Sequence, residues 1–129
     1  MMPSRTLTVF IACHPKTVYE FVSNPANLPK WAPAFVRSIT LVGGVWIADT
    51  PQGPTTFRIA PKNDHGILDH WVTPAGGAEI YVPMRVLPNA EGSQILFTLF
   101  QYPGMTEEAV AKDAALVEQD LNSLKRVLE

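Results

Sequence analysis

The sequence predicts an α+β fold: a seven-stranded, curved antiparallel sheet, two short helices near its start, and one long C-terminal helix laid across it. Three observations predict this. Apolar and polar residues alternate through most of the stretch from Phe35 to Gln101, between clusters of glycine, proline, asparagine and aspartate. From Glu107 to Leu128 the period becomes helical, and Val110, Ala114, Val117, Leu121, Leu124 and Leu128 form one continuous stripe. Near the N-terminus, "NPANLPKWAP" (Asn24 to Pro33) interrupts a helical pattern with three prolines.

Taken in order, Thr6 to Ala12 alternates, with Leu7, Val9 and Ile11 on one face and Thr6, Thr8 and Phe10 on the other, as a half-buried strand does. His14-Pro15 then puts proline at a first helical position, where its missing N–H costs nothing. Val18, Phe21 and Val22 share one side of the helix that ends near Ser23. Asn24 caps a second, very short turn through Asn27, and Pro29 and Pro33 stop it. Strands follow at about 35–42, 45–49, 55–60, 66–73, 79–87 and 94–102. The punctuation between them is "VGG", "TPQGP", "PKNDHG", "TPAGGA" and "PNAEGS", and connections this short demand antiparallel pairing. Thr106 caps the last helix, with Glu107 and Glu108 in the first turn where the dipole favours anions. At 1.5 Å per residue a helix over 107–128 is roughly 33 Å long, enough to cross a sheet of this size.

A chain of 129 residues, 47% of them apolar, buries one core, so a single domain over residues 1–129 is expected. The 10 basic and 12 acidic residues are spread along it, leaving no basic face for phosphates; nucleic acid is not an expected partner. No apolar run approaches the ~20 residues of a membrane span, and the N-terminus lacks a signal-peptide pattern. The single Cys13 cannot close an internal disulfide, so the expectation is a cytoplasmic protein without membrane insertion. His14, His65 and His70 lack helical i, i+4 pairing, and no CxxC element, Gly-rich phosphate loop or GxSxG elbow occurs. Neither metal nor cofactor is expected, and a homodimer is left open.

The most specific stretches are "IACHPKTVYEFVSNPANLPKW", "GILDHWV", "VPMRVLPNAEGSQILFTLF" and the final "DLNSLKRVLE". Together with the element order, they resemble the helix-grip fold of the START/Bet v 1-like (SRPBCC) superfamily, in particular the bacterial polyketide cyclase/dehydrase and lipid-transport family. The resemblance covers nearly the entire chain. It implies that the two short helices form an elbow under one end of the sheet, with Trp31 packed where the chain re-enters it. It also implies ligands such as lipids, hormones or polyketides, with catalysis in only some members.

One helical stripe cannot fill a wide concave surface, so the gap between sheet and last helix is the expected site for a hydrophobic lipid-, polyketide- or polycyclic-like molecule. Letting Asn89 face Gly92 pairs Val86 with Ile95, Met84 with Phe97 and Val82 with Leu99 as the inner face. Tyr81, Arg85, Thr98 and Phe100 then point outward. Phe57, Val82, Met84 and Phe97 are the expected lining, with Asp113 and Val117 from the helix. Trp31 is first an anchor of the elbow and second a ligand contact.

The faces of "LDHW" (Leu68 to Trp71) depend on the length of the "TPAGGA" connection. With four residues, Pro74 to Gly77, Asp69 and Trp71 point inward; with five, Leu68 and His70 do. The first register is preferred, making Asp69 a general-base candidate and Trp71 a ligand contact, while an inward His70 can do the same work at neutral pH. Set against these roles are solvated strand residues for Asp69 and His70, and boundary ion pairing for Asp113 and Asp120. Two alternatives stand beside passive binding: a cyclase or dehydratase that moves a proton with Asp69 or His70, and a chaperone-associated interaction module.

Overall fold

Each change of period in the sequence becomes a change of element in the computed structural model, which describes Met1–Glu129. Strand β1 (Ser4–Ile11) leads into helix α1 (Pro15–Val22), a 3-10 turn (Pro25–Asn27) and helix α2 (Leu28–Trp31). Strands β2 (Ser38–Val42), β3 (Val45–Thr50), β4 (Gly53–Ile59), β5 (His70–Pro74), β6 (Ile80–Val82), β7 (Met84–Asn89) and β8 (Gly92–Phe100) follow, and α3 (Glu107–Leu128) ends the chain. Side chains satisfy the free N–H groups at the helix starts. His14 Nδ1 accepts from Lys16 N–H at 3.2 Å, Asn24 Oδ1 from Ala26 N–H at 3.1 Å, and Thr106 Oγ1 from Ala109 N–H at 3.0 Å. Pro29 does not stop the second turn as expected. It lies in the first turn of α2, where no N–H is needed, and the helix runs on through Trp31.

All pairing is antiparallel, in the orders β1-β8-β7 and β2-β3-β4-β5-β6. The seven expected strands become eight because Pro83, which has no N–H, divides the sixth into β6 and β7. The sheets stay joined across this break: Leu68 N–H donates to Met84 O, Val86 N–H to Gly66 O, and Thr98 N–H to Pro83 O. Gly66 to Leu68, expected at the start of the fifth strand, therefore pair with β7, Asp69 O accepts from Ala60 N–H, and β5 begins at His70.

Across the β7–β8 turn, Asn89 faces Gly92, Val86 faces Ile95 and Met84 faces Phe97, as expected. The β5–β6 register corrects the preferred one. His70 faces Val82 and Trp71 faces Tyr81, which is the five-residue connection. The physical reason is burial: this register covers Leu68 and Val72, whereas the other would turn Asp69 and Thr73 into the core in their place.

One core draws on α1 (Val18, Val22), α2 (Leu28, Trp31), the sheets (Ile11, Phe57, Met84, Ile95, Phe97) and α3. The helix joins it through Leu121 and Leu124 and packs chiefly on β1 and α2. Asp120 Oδ1 accepts from Ala34 N–H at 3.0 Å, tying the exit of α2 to α3. No helix is long and apolar enough to cross a membrane.

Candidate functional site

Strand β5 turns His70 into the core, where it is 7% exposed between Phe57 and Phe97, with ring centroids at 5.3 and 5.7 Å. Its Nδ1 lies 3.1 Å from Leu68 O. A carbonyl only accepts, so Nδ1 carries the hydrogen, and Nε2 is left as an acceptor with no protein partner. Burial penalises the charged ring and lowers its pKa to about 4, outweighing the opposing pull of the Leu68 hydrogen bond and the Asp69 charge. At neutral pH the site holds an uncharged imidazole.

A row of side chains crosses the core face of the five-stranded sheet. The register aligns Leu41, Trp46, Phe57, Val72 and Ile80, with His70 in the adjacent row. Cover fades along it: Phe57 is buried, Trp46 half-buried, and Leu41 is 53% exposed. Ile39, Ile80 and Leu99 on the same face, and Val117 on α3, also keep part of their surface in solvent. Val110 and Ala114 in the N-terminal half of α3 are buried yet stand apart from the main core. Only the C-terminal half of the helix thus joins the main core. Two open surface concavities lie elsewhere, one between Met1–Pro3 and Gln101–Met105, the other between Pro33–Ala34 and Leu116–Arg126 of α3.

Of the residues expected at the site, Phe57, Val82, Met84 and Phe97 lie on the core face, packed into the core. Asp113 and Val117 sit half-buried on the helix, and desolvation raises the Asp113 pKa. Trp31 is buried as an elbow anchor, with its indole N–H unpartnered. Trp71 belongs to the opposite face, stacked on Tyr81 at 5.4 Å with the Arg58 guanidinium 4.2 Å from its ring centre. Asp69 also leaves the core face. It accepts from Tyr81 O–H at 2.7 Å, Met84 N–H at 2.9 Å and the Arg85 guanidinium, so the Pro83 break becomes a closed polar knot. Holding that bond to Asp69 raises the Tyr81 pKa. No three His, Cys, Asp or Glu groups converge as metal ligands do. Leu41 and Trp46 were missed by the sequence reading. The two-glycine turn Gly43-Gly44, with φ +57° and +81°, is the signal that would have set them opposite each other.

A family profile described as polyketide cyclase/dehydrase and lipid transport matches residues 2–129. The chain belongs to that family. It has the α+β helix-grip fold that START and Bet v 1-like structures share. Similar solved structures include the protein XoxI from Bacillus cereus, 18% identical with TM-score 0.79 over 98% of this chain and 96% of that one. The Aha1 dimer from Colwellia psychrerythraea is 17% identical, TM-score 0.77, over 99% and 97%. A START superfamily protein from Mycobacterium smegmatis is 11% identical, TM-score 0.66, over 98% and 99%. Among curated proteins none matches significantly.

Proposed function

We propose that this chain binds a hydrophobic small molecule, lipid-, polyketide- or polycyclic-like, between the core face of the five-stranded sheet and the N-terminal half of α3. The observation that carries this reading is the incomplete cover: apolar side chains on the core face of the sheet stay partly in solvent, and Val110 and Ala114 do not join the core. No cofactor is needed. A ligand at a hundred times its Kd stabilises the folded state by about 2.7 kcal/mol, which for a domain of this size raises Tm by about 10 °C. A thermal-shift screen over acyl, polyketide-like and polycyclic compounds tests it, and a melting temperature unmoved by all three classes defeats it.

The uncharged His70, with its free Nε2 acceptor, favours a second reading as a cyclase or dehydratase. So weak a base removes only protons already acidified, such as those between two carbonyls. Turnover of a polyketide-like substrate should then vanish in His70→Ala and persist in Asp69→Asn, whose carboxylate faces away; equal turnover in wild type and His70→Ala removes this reading.

A further inference from the structure

The ligand reading leaves open what kind of hydrophobic molecule fits, and two independent features of the core face narrow it. The first is length. Leu41 on β2, Trp46 on β3, Phe57 on β4 and Val72 on β5 form one row across four adjacent strands. Three interstrand spacings make that row about 14 Å long. Exposure falls from Leu41 to Phe57, so the row has an open end and a closed one. The second is polarity at the closed end. His70, nine-tenths buried, presents Nε2 as an acceptor without a protein partner, while the other buried polar side chains of the sheets are engaged. Thr50 and Thr55 bond each other and Gly53 O, and Ser93 donates to Cys13 O. The charge beside His70 is that of Asp69, which Arg85 already pairs. The guanidiniums of the neighbouring strands are turned to the other face, Arg58 toward Glu79 and Arg85 toward Asp69.

We infer that the ligand is an elongated, uncharged molecule with a hydroxyl at one end, donating to His70 Nε2, and an apolar tail that runs over Phe57 and Trp46 to Leu41. The inference rests on the ligand reading above and specifies its chemistry. An acceptor without a protein partner takes a donor, which an alcohol supplies and an ether does not. A carboxylate supplies no hydrogen and would be buried there with no free cation to pair it, since Arg58 and Arg85 are already engaged.

The test is displacement of N-phenyl-1-naphthylamine fluorescence from the full chain at pH 8 by 1-dodecanol, dodecyl methyl ether, dodecanoate and 1-hexanol. Dodecanol should act at about tenfold lower concentration than the ether or dodecanoate, the worth of one buried hydrogen bond. His70→Phe, which keeps a ring between Phe57 and Phe97, should abolish the alcohol-over-ether preference without weakening the ether. Leu41→Ser should weaken dodecanol severalfold and leave hexanol unchanged. Ether or dodecanoate matching dodecanol on the wild-type chain overturns the inference while the ligand reading stands. If none of the four displaces the probe or raises Tm, the inference falls, and the ligand reading rests on the polyketide-like and polycyclic compounds of the thermal-shift screen.

Discussion

At the scale of residues, His70 and Asp120 pull stability in opposite directions across one pH window. The His70 pKa falls from an ordinary 6.5 to about 4 in the fold, so the unfolded chain takes up the proton first. Its contribution is whole above pH 6.5 and is lost as pH falls toward 4, about 3 kcal/mol for a shift of this size. Asp120 runs the other way: desolvation raises its pKa from 3.8 to about 6, against the hydrogen bonds from Ala34 and Phe35. That contribution is whole below pH 3.8 and is lost as pH rises through 6. Urea midpoints measured from pH 4 to 8 should therefore change little in wild type; they should fall between pH 4 and 6 in His70→Phe, where only the Asp120 slope remains, and rise there in Asp120→Asn. A pH dependence in His70→Phe identical to that of wild type would show that this ring is not buried neutral. Asp69 is a different case, because its three donors are fixed by the Pro83 break. Asp69→Asn should cost about 2 kcal/mol in urea unfolding, by weakening a largely buried ion pair. In a Tyr81→Phe background the cost should be smaller, since one donor is already gone.

At the scale of elements, the chain uses residues that break regular structure to place the site. Pro83 ends one ladder and begins another, and that opening seats Asp69 on the outer side while its neighbour His70 turns inward. Gly66 lets the chain enter β5 close against β7. It has φ +71°, and a Cβ there would collide with the Val86 carbonyl. Gly66→Ala should therefore destabilise by at least about 2 kcal/mol, through both strained backbone and that collision. The same substitution at Gly76, also at positive φ but with open space around it, should cost less. Comparing the two by thermal melting separates close approach from backbone conformation, and equal losses would remove the packing argument.

At the scale of the whole molecule, the long helix grips only part of the sheet. Leu121 and Leu124 seal the end near α1 and α2, while the β2–β3 hairpin projects Leu41, Val42, Val45 and Ile47 into solvent. Much of this was legible in the chain. The helical stripe of 107–128, the proline at the first position of α1, the caps at Asn24 and Thr106, and the Asn89–Gly92 turn with the pairs it implies are all local, decided by residues within a few positions of one another. The site was legible only in part. Phe57, Val82, Met84 and Phe97 fell on the right face because a two-fold period assigns faces once one register is known. Asp69, His70 and Trp71 did not, because one residue in the 74–78 connection exchanges their faces, and alternation alone is equally content with either. The sequence by itself determined the elements, their order and the family fold. Tertiary structure decided which side of β5 is buried, where Pro83 lets the sheets part, and how much of the core face the helix leaves uncovered. Those outcomes turn on the balance between burying Leu68 and Val72 and desolvating Asp69, a comparison that exists only once distant strands meet.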